Sequence, residues 1–127
     1  MSVGIQRKLN IGFEEALKRL PKALEGEGFG VLTEIDVAAT LHKKLGVEHR
    51  PYRILGACNP TLAHRALGHD LSIGTMLPCN VVVYQGDDGN AVLIAVDPLE
   101  TLAARDEALR PIAEEVRGRL VRVVNAV

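Results

Sequence analysis

Two apolar runs late in the chain, separated by a short polar segment, constrain the fold more than any other feature. The runs cover residues 79–84 and 91–96 and are rich in valine. The six residues between them, Gln-Gly-Asp-Asp-Gly-Asn, are types that favour a tight reversal of the chain. The sequence therefore predicts an antiparallel hairpin, which is stable only if other elements cover one of its faces.

Two stretches with apolar residues at helical spacing can supply that cover. Residues 13–24 predict an amphipathic first helix, in which Pro21 is expected to cause a kink or an early break near residues 17–21. The final stretch predicts a last helix, and its apolar stripe consists of Leu109, Ile112, Ala113, Val116, Leu120, Val123 and Val124.

The remaining elements follow from local patterns and from capping residues. Asp36 and Asn59 are typical helix caps, and each precedes a predicted helix. Further strands are predicted at 3–9, 29–35 and 51–58, and further helices at 37–45, at 61–67 and from Pro98 onward. This order predicts an α+β fold for residues 1–127, as a single domain with one sheet, mainly antiparallel toward its end, covered by helices.

Composition narrows the class of function. The chain has 127 residues, of which 47% are hydrophobic, and its net charge is −1. Aromatic residues make up 3% and Trp is absent, so neither a basic surface nor a stacking platform for nucleic acid is expected. No apolar stretch approaches the length of a membrane span, and the first ten residues lack the apolar run of a signal peptide. With only two cysteines, the expected location is the cytoplasm, without a membrane or nucleic-acid partner.

Three segments resemble the bacterial family known as domain of unknown function 302. They are EGFGVLTEID at 27–36, YRILGACNP at 52–60 and LPCNVVVY at 77–84, and the similarity extends over about residues 3–98. The resemblance implies a fold similar to the TATA-box-binding-protein type, with a single curved antiparallel sheet, helices packed on one face, and a homodimer. It implies no activity, and Pro21 departs from the family's usual first helix.

The candidate site consists of two short motifs with the same three residue types in nearly reversed order, Cys58-Asn59-Pro60 and Pro78-Cys79-Asn80, and we call them the mirrored motif. If the strands that carry the two cysteines pair antiparallel, both thiols reach the same edge of the sheet, with Cα atoms within about 10 Å. Cys58 precedes a helix start, where unpaired N–H groups stabilise a thiolate, so it is expected to be the more reactive thiol. His64 lies about one turn into that helix.

Several interpretations of these residues remain open. A small-ligand-binding or sensing homodimer would use the concave face of the sheet, with Cys58, Asn59 and Asn80 at its rim. A thiol-dependent enzyme, a redox pair or a Cys-Cys-His metal site would use Cys58, Cys79 and His64. The cysteines can also be packed as small buried hydrophobes in a structural module, with each Asn as a backbone cap. The sequence does not identify a cofactor.

Two smaller groups of residues are also candidate binding sites. Glu34 and Asp36 share one face of a predicted strand and could form a small acidic site, although a solvated strand face is the commoner explanation. Tyr52 and Arg53 could recognise a ring or an anion.

Overall fold

The chain forms one antiparallel sheet with helices on one side, in a computed structural model that describes residues 3–127. The first two residues of the predicted domain lie outside the described residues. The strands are β1 Ile5–Gly12, β2 Gly30–Asp36, β3 Tyr52–Cys58, β4 Cys79–Gln85 and β5 Asn90–Ala95. The helices are α1 Phe13–Gly26, α2 Val37–Leu45, α3 Pro60–His69, α4 Leu102–Arg105 and α5 Arg110–Ala126.

The predicted hairpin is present as β4 and β5, and it lies at the centre of the sheet. The strand order is β1-β5-β4-β3-β2, and every neighbouring pair is antiparallel. Alternation along the strands gives the sheet two distinct faces. The face toward the helices is fully buried at Leu55, Ala57, Val81, Val83, Ala91, Leu93 and Ala95.

The last helix covers this face as its apolar stripe predicts. Every residue of the stripe from Leu109 to Val124 is buried, and Leu120 and Val123 are completely inaccessible. Helix α1 adds its own buried side, which includes Leu20 and Leu24. One hydrophobic core thus lies between the sheet and these two helices.

The predicted caps are confirmed. The Asp36 side chain accepts a hydrogen bond from the Ala39 N–H at 2.9 Å, and α2 covers the predicted residues 37–45. The Asn59 side chain accepts one from the Leu62 N–H at 3.2 Å. Each cap satisfies a backbone donor that the helix itself leaves unpaired.

Three predicted helix boundaries were wrong. Helix α1 continues without a break through Pro21, which is exposed, so the carbonyl that loses its partner lies on the solvent side. Helix α3 does not stop at Gly68 but ends at His69. Asp97 caps a turn through the Leu99 N–H, at 2.9 Å, and the next helix begins only at Leu102.

Two other segments differ from their predicted form. The segment after α3, for which the sequence predicts no helix, contains a 3₁₀ helix, Leu71–Met76, because the Asp70 carboxylate caps it through the Ser72 N–H at 2.9 Å. Strand β1 begins at Ile5 and ends at Gly12, so it starts and ends later than residues 3–9. No helix within residues 3–127 is long and apolar enough to cross a membrane.

Candidate functional site

The two cysteines are neighbours in the sheet, as predicted from the mirrored motif. Cys79 lies directly opposite Ala57 in the β3–β4 ladder, so Cys58 is one residue away from the partner of Cys79. Antiparallel spacing then places the two cysteine Cα atoms about 6–7 Å apart. Both cysteines are free.

The cavity beside these cysteines is too small for a ligand. Cys58, Asn59 and Cys79 line a space of about 20 Å³ between α3, α5 and the end of the sheet. Its other walls are apolar and include Leu62 and Val116. Such a volume accommodates one water molecule at most.

Electrostatics also disfavour a pair of reactive thiols. Burial raises the pKa of the Cys79 thiol to about 11, and the neighbouring Cys58 adds to the effect. Cys79 is therefore protonated at neutral pH, whereas a nucleophile or a metal ligand must be a thiolate. Within residues 3–127, no three His, Cys, Asp or Glu side chains are grouped closely enough to hold a metal ion.

The other two predicted site residues lie elsewhere. His64 is exposed on α3 and is not part of the cavity wall. Asn80 follows Cys79 in β4, so its side chain projects from the opposite face of the sheet. The structure thus brings Cys58, Asn59 and Cys79 together and separates them from His64 and Asn80.

The face of the sheet opposite the helices carries a continuous apolar row, and we call this side the open face. In the register of the sheet Ile35 pairs with Ile54, Ile54 with Val82, and Val82 with Ile94. Ile54, Val82 and Ile94 belong to the open face because they alternate with buried residues. Ile35 belongs to it because it lies directly opposite Ile54. Ile35 is 48% exposed and the other three are partly exposed, so no helix in the described part of the chain, residues 3–127, covers the row.

A second row on the open face is aromatic at one end and basic at the other. Tyr52 pairs with Tyr84, Tyr84 with Val92, and Val92 with Lys8. The two tyrosine rings are stacked, with centroids 5.5 Å apart and planes 9° from parallel. His49 contacts the Tyr52 ring edge to face at 5.9 Å.

A cleft of about 300 Å³ lies at the end of the aliphatic row. Val82 and Ile94 form its apolar floor, together with Val96. Asn80 and Thr101 provide polar groups at its border. A concave apolar surface with a few polar groups is the usual form of a small-molecule site.

The acidic pair predicted on β2 is not free to bind a ligand. The Arg53 guanidinium contacts the Glu34 carboxylate and the Asp36 carboxylate, at 3.2 Å each. Arg53 alternates with Ile54 and therefore lies on the helix side, away from the open face. This cluster links β2 to β3, and it leaves Tyr52 as the residue of the predicted Tyr-Arg pair that reaches the open face.

The sequence predicted a ligand site on the concave sheet but did not identify the residues of the open face, although one pattern was visible. Residues 81–84 and 91–96 are almost uninterrupted apolar runs, and such runs are typical of strands that are apolar on both faces. Helices here cover only one of those faces. Part of the chain's hydrophobic content, which is 47% of its residues, therefore lies on the open face.

Comparisons with known proteins identify a family but no specific function. A family model described as "Domain of unknown function DUF302" matches residues 5–127. A similar solved structure is the crystal structure of an uncharacterized conserved protein DUF302 from Bacillus stearothermophilus. It shares 34% sequence identity, the match covers 96% of this chain and 95% of that chain, and the TM-score is 0.88. No curated protein matches the chain.

Proposed function

This chain belongs to the family described as domain of unknown function DUF302, and we propose that it is a cytoplasmic homodimer that binds a small apolar molecule on its open face. The observation that carries this proposal is the row Ile35, Ile54, Val82 and Ile94, which no helix covers. Burial of apolar area stabilises by about 25 cal/mol per Å², so an uncovered row of this kind favours an occupant.

The adjoining cleft supports a small molecule as that occupant. Its volume of about 300 Å³ is at the lower end of the range for ligand pockets. The cavity near the cysteines, in contrast, accommodates only one water molecule. Asn80 is the one residue of the sequence-based site that belongs to the proposed site.

Nucleic acid and membrane surfaces are not the proposed partners. The middle of the open face is aliphatic, and the net charge of −1 provides no positive field for phosphate. A fold of the TATA-box-binding-protein type would not change this proposal, because function depends on the residues of the site. The two free cysteines support a reducing compartment such as the cytoplasm.

The proposed dimer contact is the corner formed by β2 and α2. Neither element has a buried residue, and β2 is an edge strand with free backbone groups. The chain has seven exposed large hydrophobic residues within 3–127. Four of them lie outside the ligand row and on β2, on α2 or just after α2: Val31, Leu32, Leu45 and Val47. A second copy that pairs along β2 would cover these side chains and the strand edge together.

Intrinsic fluorescence tests ligand binding without an added label. The chain has no Trp and only two Tyr, and both tyrosines lie on the open face. Titration with 1-octanol should change the tyrosine emission saturably, and Val82→Asp should abolish the change by placing a charge in the apolar row. Leu71→Asp is the matched control, because Leu71 is 85% exposed on the 3₁₀ helix. An unsaturable change, or equal binding by Val82→Asp, would contradict the proposal.

Light scattering tests the dimer. The wild type should have twice the monomer mass, and Leu32→Asp should be monomeric because Leu32 is 66% exposed at the β2 corner. Leu71→Asp should remain dimeric. A monomeric wild type at concentrations well above those of a cell would disprove the assembly.

A further inference from the structure

We infer that the ligand of the open face is an amphipathic carboxylate, whose acidic group binds in a second cleft at Lys8 and Arg50. The inference rests on the proposed function and adds the chemical class of the ligand. The apolar body would lie on the two rows described above, and the acidic group would lie at their basic end.

A bulge in β1 creates this second cleft. Strand β1 pairs regularly with β5 as far as Lys8, which lies opposite Val92, but the next pair joins Gly12 to Asn90. β1 therefore has two more residues than β5 between these pairs, and the strands separate locally. A cleft of about 320 Å³ lies between the bulge and the β4–β5 turn. Bulges of this kind are frequent beside functional sites.

The charges in the cleft leave its cations accessible. Lys8 is exposed, and no carboxylate within residues 3–127 forms an ion pair with its ammonium group. Arg50 contacts the Asp87 carboxylate at 3.0 Å, but that carboxylate is 94% exposed, so the pair is weak and a ligand can compete for it. The Asp88 carboxylate accepts the Asn90 N–H at 2.9 Å and is thereby held within the turn.

The guanidinium of Arg50 is held at the edge of the cleft. It donates a second hydrogen bond to the Gln85 carbonyl at 3.1 Å, which fixes its position beside the β4–β5 turn. Arg50, in the loop before β3, and Lys8, in β1, thus border the same cleft together with Tyr84 and Val92. Two cations in this arrangement favour a single acidic group over a neutral or cationic one.

The spacing of the rows sets the size of the ligand. Tyr84 and Val92 border the second cleft, and Val82 and Ile94 lie two residues further along the same strands, or about 7 Å away. A molecule with its acid beside Lys8 therefore reaches the aliphatic row with a body of medium length. Octanoate is a suitable probe, with 1-octanol and octylamine as neutral and cationic probes of similar shape.

Tyrosine fluorescence titrations with the three probes test the inference. Octanoate should bind about tenfold more tightly than 1-octanol, and octylamine should bind most weakly. Lys8→Glu and Lys8→Gln should each weaken octanoate binding about tenfold while leaving 1-octanol binding unchanged. Lys18→Glu is the matched control, since it makes the same change in net charge at an exposed position of α1.

The other possible outcomes show whether the acidic ligand alone or the proposed function as well is wrong. Equal affinity for octanoate and 1-octanol would overturn the acidic ligand and leave the proposed function intact. Failure of all three probes to bind would overturn both. Weaker octanoate binding in Lys18→Glu, to the extent seen in Lys8→Glu, would show an effect of net charge alone and would also overturn the inference.

Discussion

The two faces of β5 should respond very differently to the same substitution. Leu93 and Ile94 are adjacent in one strand, but Leu93 is fully buried toward the helices, whereas Ile94 is partly exposed on the open face. Leu93→Ala removes a core side chain and leaves a cavity, so it should cost about 3 kcal/mol. Ile94→Ala should cost about 1 kcal/mol, mainly through strand propensity and partial burial.

Thermal unfolding followed by circular dichroism measures both costs. A chain of 127 residues has an unfolding entropy of about 0.27 kcal/mol/K. Leu93→Ala should therefore lower the Tm by about 11 °C and Ile94→Ala by about 4 °C. Equal losses would refute the assignment of the two faces. A loss for Ile94→Ala that grows with protein concentration would show that a second copy covers the open face.

Two further predictions concern stability. Gly56→Ala should destabilise by about 1–3 kcal/mol in denaturant titrations, because a Cβ there would collide with Thr33 Oγ1 and lie 2.6 Å from Pro78 Cγ. Gly30→Ala is the control within a strand, because a Cβ there meets no atom within 4 Å, and it should be nearly neutral. The raised pKa of Cys79, about 11, means that the unfolded chain loses this proton first as the pH rises. Its stabilising contribution of about 2–3 kcal/mol should be complete below pH 9 and lost between about pH 9 and 11, and Cys79→Ala should remove this pH dependence.

The elements of the fold could be predicted because their determinants are local. The caps Asp36 and Asn59, the turn between β4 and β5, and the stripe of α5 each depend on a few neighbouring residues. The predicted break at Pro21 and the predicted end of α3 at residue 67 were wrong because tertiary packing outweighs the local cost of Pro21 and Gly68. Pro21 is exposed, and its cost in helix stability is smaller than the stabilisation that α1 gains by packing Leu20 and Leu24 in the core.

The thiol pair was located correctly, but its chemistry could not be predicted from spacing. The mirrored motif is sufficient to place Cys58 near Cys79, because strands that follow one another usually pair. Whether a thiol ionises depends on its burial, which the sequence around Cys79 does not reveal. In the structure the apolar walls of the small cavity keep that thiol protonated.

The open face depends on register, and register connects residues that are far apart in the chain. Ile35, Ile54, Val82 and Ile94 come from four strands, and a slip of one residue in any ladder would turn that strand's side chain toward the helices. The same dependence makes the row a sensitive test. A charge at Val82 should weaken ligand binding to the row, because Val82 lies between Ile54 and Ile94. A charge at Val83 would instead enter the core and unfold the protein. A folded Val82→Asp variant that has lost the tyrosine response would therefore assign the binding to this face of the sheet.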